Sequence, residues 1–246
     1  MTEITACRVC PRNCGARREK DYGEGFCRMG AFPRVARAAL HFWEEPCISG
    51  TRGSGTVFFS GCSLRCAFCQ NEEISANGYG REITPEELAG IYQDLEAQGA
   101  HNINLVNPTH FVPAILESFQ YYRPKVPVVY NSSGYEKVET LKLLEGKIDV
   151  YLPDLKYFDP EKARRYSGAP DYFQAASKAV CEMARQTGKP EFDEDGMLVK
   201  GTVVRHLVLP LATQNAIEIL RFLKETLDKQ VLVSLMGQYV PYGRVR

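Results

Sequence analysis

The feature that most constrains this chain is a repeated alternation of short apolar runs with segments of helical periodicity. Thr56–Ser60 is such a run, closed by Gly61, and reads as a first strand. Thr84-Pro85-Glu86-Glu87 has capping-box spacing with proline in the first turn. Leu88, Ile91, Tyr92 and Leu95 continue at helical spacing until Gly99. The same reading predicts strands at Asn102–Val106, Val126–Asn131, Ile148–Leu152, Thr202–Leu207 and Val231–Leu235. It predicts helices at Val112–Tyr122, Tyr135–Leu144, Tyr172–Gln186 and Asn215–Leu227. Strands joined through helices need crossover connections, which are right-handed and make the sheet parallel. Six such strands predict an α/β fold, a partial (β/α)6 barrel short of the closed eight-stranded form. Residues 1–50 hold none of these units and are read as a cysteine-rich N-terminal segment, with the barrel over 51–246. Gly188–Lys200 is read as a loop or hairpin. No helix follows the sixth strand, so a covering segment beyond Arg246 is expected.

Composition narrows the partners. The 246 residues are 44% apolar, enough for one sizeable core, and 30 basic residues balance 30 acidic ones. No bulk charge argues for nucleic acid or an acidic membrane surface. Met1–Asn13 has no apolar signal core and no run is long enough to span a bilayer, so a cytoplasmic protein is expected. Nine cysteines are the more informative number. Four lie between Cys7 and Cys27, three between Cys62 and Cys69, and Cys47 and Cys181 stand apart. An odd count in tight clusters points to metal binding rather than a disulfide framework.

The central run is Gly61-Cys62-Ser63-Leu64-Arg65-Cys66-Ala67-Phe68-Cys69-Gln70-Asn71. Gaps of three and two let one loop wrap three corners of an iron–sulfur cube, leaving one iron without a protein ligand. An open metal position is what chemistry requires. The plainer reading is a structural zinc or electron-transfer cluster completed by Cys47 or Cys181. Placement directly after the first strand favours chemistry, because barrels of this kind carry it at the C-terminal ends of their strands.

With Phe68 just before the third cysteine, this run resembles the CxxxCxφC signature of the radical S-adenosylmethionine (SAM) superfamily. Further stretches resemble one subgroup, the PflX-like iron–sulfur proteins related to pyruvate formate-lyase activating enzyme. They are Cys7–Cys27, His41–Gly55, Asn102–His110, Tyr130–Tyr135, Asp149–Tyr157, Arg205–Pro210 and Met236–Pro241, and span nearly the whole chain. The resemblance implies a 4Fe-4S cluster on Cys62, Cys66 and Cys69 whose open iron is chelated by SAM. It implies reductive cleavage of SAM to a 5′-deoxyadenosyl radical that takes hydrogen from a substrate, with reduced flavodoxin or ferredoxin as electron donor.

The resembling segments lie at predicted strand ends and are read as converging on SAM. Phe68 packs on the adenine or serves as a core aromatic. Asn107 and Thr109 follow the second strand, where activating enzymes usually carry a Gly-Gly-Glu motif that is absent here; they offer polar contacts without a carboxylate. Asn131, Ser132 and Ser133 suit a ribose diol or simply form a turn before Gly134. Asp154 and Lys156 share one face of an extended segment, Lys156 toward the SAM carboxylate and Asp154 toward a cation or that lysine. Arg205 suits a carboxylate, and His206 points to the opposite face. Gln238 and Tyr239 are placed to close over SAM or substrate. Gly53-Ser54-Gly55 is read as a close backbone approach beside the cluster. His41, Trp43, Glu44 and Glu45 face a substrate or form a solvated segment.

Cys7, Cys10, Cys14 and Cys27 supply four thiolates, a closed set that suits structural zinc or an auxiliary iron–sulfur cluster. Zinc is preferred, because the first pair resembles a knuckle. Cys181 reads as packing; Cys47 has no assigned role. Three functions follow. The first is activation of a glycyl-radical enzyme, a protein substrate. The second is radical modification of a peptide or small molecule. The third is a non-catalytic electron carrier or binding protein.

Overall fold

The computed structural model describes residues 3–245 and, within them, leaves the Arg244 side chain out. The elements in chain order begin with strand β1 (Arg34–His41), helix α1 (Pro46–Ser49) and β2 (Ser54–Phe59). Next come α2 (Glu72–Ser75), β3 (Arg81–Glu82), α3 (Pro85–Ala97), β4 (Ile103–Val106), α4 (Val112–Tyr121) and β5 (Val128–Ser132). Then come α5 (Val138–Lys142), β6 (Val150–Pro153), α6 (Pro160–Ser167), α7 (Tyr172–Thr187) and β7 (Glu191–Phe192). The last three are β8 (Leu198–Leu207), α8 (Thr213–Leu227) and β9 (Leu232–Met236).

Strands β2, β4, β5, β6, β8 and β9 lie side by side in chain order, each pair parallel, as the six-strand reading requires. This is an α/β fold in a partial (β/α)6 arrangement. The expected start of α3 is realised in full: Thr84 Oγ1 accepts the Glu87 N–H at 3.0 Å and the Glu87 carboxylate accepts the Thr84 N–H at 2.7 Å. Its Leu88, Tyr92 and Leu95 are buried against the sheet together with Ile115 of α4. Residues 191–200 form the hairpin of β7 with the start of β8.

The elements additional to the sequence reading are β1, α1, α2, β3 and α6, of which β1 and α6 are the longest, and one helix is shorter. β1 runs antiparallel to β2, from Val35 opposite Phe59 to His41 opposite Ser54, so the N-terminal segment contributes a strand to the sheet. Its sequence, RVARAALH, is rich in alanine and arginine and carries little strand propensity; the neighbouring strand supplies what the residues do not. α6 starts on Asp159, whose carboxylate accepts the N–H groups of Glu161 and Lys162, and ends at Gly168 in the left-handed region. It buries only Ala163 and Ser167, too little to give a periodic signal. α5 begins at Val138 rather than Tyr135, because the Tyr135 hydroxyl is drawn to Asp171 and Glu136 turns inward.

The barrel has two unlike ends. At the N-terminal ends of the strands α1 lies across the opening: Asn102 Nδ2 donates to the Ile48 carbonyl at 2.7 Å, and Ile48 packs among Val129, Val150, Leu152 and Val203. The C-terminal ends remain free for the cysteine loop. Among the described residues, no helix is long and apolar enough to cross a membrane.

Candidate active site

β2 delivers the chain to Gly61, whose φ of 79° leads into the cysteine loop. A Cβ there would lie 2.4 Å from Met29 Cγ and 3.1 Å from His110 Nε2, so both conformation and space demand glycine. The loop is pinned by its own chemistry. Cys62 Sγ accepts the Leu64 N–H at 3.3 Å, Ser167 Oγ donates to Cys66 Sγ at 3.0 Å, and Cys69 Sγ lies 3.2 Å from Ser75 Oγ. Asn107, held at φ 58°, donates to the Gly61 carbonyl and accepts from the Cys62 thiol at 3.5 Å.

All three thiols line one cavity of about 360 Å³ at the C-terminal ends of the strands. Burial pushes the Cys62 thiol up to about 12, and Cys66 adds to it. Burial raises Cys66 too, against the pull of Lys156. Buried thiols become thiolates only when a cation is bound beside them, so the donor set fits an iron–sulfur cluster. Cys47 lies in α1 at the opposite end of the barrel, and Cys181, on α7, opens to a different hollow with Val138, Lys178 and Phe222. Among the described residues no fourth thiol lines the cavity, which speaks against the reading in which one of them completes a closed site.

Beside the thiols, the strand ends carry a compact ionic group. Lys156 Nζ lies 2.5 Å from Asp154 Oδ2, and Arg205 Nε lies 3.0 Å from Asp154 Oδ1. Arg205 also reaches Glu44 Oε2 at 3.1 Å and donates to Asn131 Oδ1 at 2.6 Å. Burial pushes the Asp154 carboxyl up, but Arg205 and Lys156 outweigh it and hold it below its ordinary value. Burial alone would lower Lys156, yet Asp154 and Cys66 keep it above the usual lysine range. Both cations therefore stay charged inside a partly dry cavity, which suits a ligand carboxylate.

The cavity gathers most of the residues singled out in the sequence. Phe68 lines it, its ring 6.3 Å from Tyr166 and Tyr239. Asn131, Ser132, Ser133, Gln238 and Tyr239 line it as well. The Ser133 hydroxyl is buried without a partner among the described residues, free for a ligand, whereas Ser132 Oγ accepts the Gly134 N–H at 3.2 Å. Asn107 reaches the cavity but its amide is spent on the cysteine loop. Thr109 is not brought in: fully buried, it donates its hydroxyl to Glu136 at 2.5 Å, away from the cavity lining. His206 is structural, donating from Nδ1 to the Leu155 carbonyl at 2.6 Å, with burial holding it neutral.

Glu44 is the residue whose place the sequence left undecided. Trp43 is 88% exposed, yet the next side chain turns into the barrel and accepts from Asn131 at 3.1 Å and Asn104 at 3.4 Å. Burial raises its carboxyl while Arg205 opposes. Glu44 thus braces Arg205 and Asn131 from beneath. The one signal for it was an acidic pair before Pro46, which does not say which carboxylate turns inward. Gly53–Gly55 lies at the plugged end rather than beside the cluster loop, and a Cβ at Gly55 would come 2.9 Å from the Asn102 carbonyl.

Comparison with known proteins agrees with this geometry. A sequence model of the radical SAM superfamily matches residues 56–225, from β2 into α8. Uncharacterized protein MJ0674 of Methanocaldococcus jannaschii is 32% identical over 247 residues, covering 96% of this chain and 66% of its own. Uncharacterized protein MJ0808 of the same organism is 26% identical over 209 residues, covering 74% and 55%. The chain spans just under two thirds and just over half of these relatives. Among solved structures, Streptococcus suis SuiB bound to precursor peptide SuiA has a TM-score of 0.52 at 12% identity, over 76% of this chain and 39% of SuiB. SuiB bound to S-adenosylmethionine has a TM-score of 0.52 at 15% identity, over 76% and 41%. At such identities the likeness to SuiB is one of fold. The matched span contains all three loop cysteines and the strand ends that face them, and the chain belongs to the radical SAM superfamily.

Proposed function

We propose that this protein is a SAM-dependent radical enzyme whose substrate is a glycyl-radical enzyme, on which it installs the radical. The observation that carries the reading is the trio of cavity-facing thiols with no fourth thiol lining the same cavity among the described residues. When bound, the four-iron cluster and SAM, given one electron by reduced flavodoxin or ferredoxin, supply a hydrogen-abstracting carbon radical. The residues of the chain do the rest. Cys62, Cys66 and Cys69 would hold the cluster. Lys156 and Arg205, steadied by Asp154 and Glu44, take the carboxylate of SAM. The Ser133 hydroxyl would face its sugar and Phe68 its base, while Asn131 keeps its amide on Arg205 and Glu44. Gln238 and Tyr239 cover the cavity and keep water from the reacting atoms. The PflX-like resemblance supports a protein substrate.

Anaerobic reconstitution followed by dithionite and SAM tests the chemistry: 5′-deoxyadenosine is expected above a Cys66→Ala control. None above that control would leave an electron carrier. Incubation with glycyl-radical enzymes, watched by electron paramagnetic resonance, tests the substrate. Cleavage of SAM with no glycyl radical on any of them would favour a peptide or small molecule.

A further inference from the structure

The four N-terminal cysteines lie in a segment with almost no regular structure before β1, held by isolated bridges from Arg18 to Ile4 and Gly23. So short a segment has little core of its own and needs a staple. Its cysteines are gathered nonetheless. Cys10 is an electrostatic neighbour of Cys7 and Cys27, and Cys27 of Cys7 and Cys14. The thiols of Cys10 and Cys27 each accept a backbone N–H from two residues on, Arg12 and Met29. A Cβ at Gly25 would lie 3.2 Å from Cys14 Sγ, so the turn stays bare beside that thiol.

A second observation asks for negative charge at the same place. Arg18 is 1% exposed and has no carboxylate partner among the described residues. Its donors go to the carbonyls of Met29, Gly30 and His110, and Nη1 lies 3.7 Å from Cys7 Sγ. A guanidinium buried without a counter-anion is costly. A centre ligated by four thiolates carries net negative charge and would neutralise it.

Position separates the two candidate occupants: the segment packs against the cysteine loop, where a redox-active cluster has an electron partner and a redox-inert zinc ion has none. We propose that Cys7, Cys10, Cys14 and Cys27 hold a second iron–sulfur cluster, fully ligated by protein, against the cysteine loop. This replaces the zinc preferred from the sequence. The contact with the loop is direct: Arg12 Nε donates to the Ser63 carbonyl at 2.8 Å and Arg65 Nη2 to the Phe26 carbonyl at 3.0 Å.

The test uses the full chain with Cys62→Ala, Cys66→Ala and Cys69→Ala combined, reconstituted anaerobically with iron and sulfide in the presence of equimolar zinc. About four iron and four sulfide per chain are expected to remain, against about eight of each in the parent protein. In the parent, Cys10→Ser is expected to halve the iron while the SAM-sensitive signal persists. One zinc and no iron in the triple variant would overturn the proposal, as would no metal at all. If Cys10→Ser does not fold, the triple variant still decides. That variant has no SAM-binding cluster, so its iron content is independent of whether the protein cleaves SAM.

Discussion

The two cysteine regions differ in what holds them. The loop from Cys62 to Cys69 hangs from the end of a buried parallel strand and is tied by Asn107, Ser75 and Ser167 from other parts of the barrel. The segment from Cys7 to Cys27 has no helix or strand of its own, being held by isolated bridges, turn hydrogen bonds and the Arg12 and Arg18 contacts with the barrel. The first scaffold can leave a ligand position empty because the barrel supplies its stability. The second has no regular structure of its own, and a closed site on all four thiols would staple it. On this account open and closed metal sites follow from how much structure surrounds the thiols, beyond their spacing alone.

The sharpest way to break this contrast is Cys66→Ala, which is expected to reduce SAM cleavage to background while leaving the fold intact by circular dichroism. Loss of folding would mean that the loop, too, depends on its metal. Next in size is Lys156→Ala, where loss of a charge-assisted contact is expected to weaken SAM binding roughly 10- to 100-fold, read by calorimetry. Unchanged affinity would assign Lys156 to Asp154 alone.

Glu136 sharpens the contrast because it lies between the regions, accepting from Thr109 and Tyr130 and acting electrostatically on Cys10. Burial pushes its carboxyl up to about 7. Below the unfolded value both states are protonated and no penalty exists. As pH rises from there through about 7, the unfolded chain ionises first and stability falls, by roughly 3 kcal/mol once complete. Glu136→Gln should therefore gain melting temperature relative to the parent between pH 5 and pH 8. A difference that stays flat would place the ordinary carboxylate value there.

Glu44→Gln is expected to cost about 1–3 kcal/mol, because Arg205 keeps Asp154 but loses a buried anion. Thermal melting reads this at roughly 2–4 °C per kcal/mol for a chain of this size. The smallest effect is Ser133→Ala, about 0.5–1.5 kcal/mol in SAM affinity with no change in melting, since that hydroxyl has no partner among the described residues.

The six parallel strands and the cysteine loop were legible because local periodicity and spacing encode them. What was not legible depended on tertiary partners. β1 is a strand because β2 lies beside it. Thr109 looked like a ligand by its place after a strand, but Glu136, buried 27 residues later, claims its hydroxyl. Glu44 and Glu45 are adjacent and chemically alike, and only the barrel interior selects Glu44 to meet Arg205. Ser133, by contrast, was singled out from its position, and its buried hydroxyl has no partner among the described residues.

The vacant iron of the loop cluster is tested most directly by electron–nuclear double resonance on the reduced protein with SAM labelled by 15N at the amino group and 17O at the carboxylate. Hyperfine couplings from both labels are expected in the parent protein and absent from Cys66→Ala. A reduced cluster in the parent that shows neither coupling at saturating SAM would contradict an open iron position.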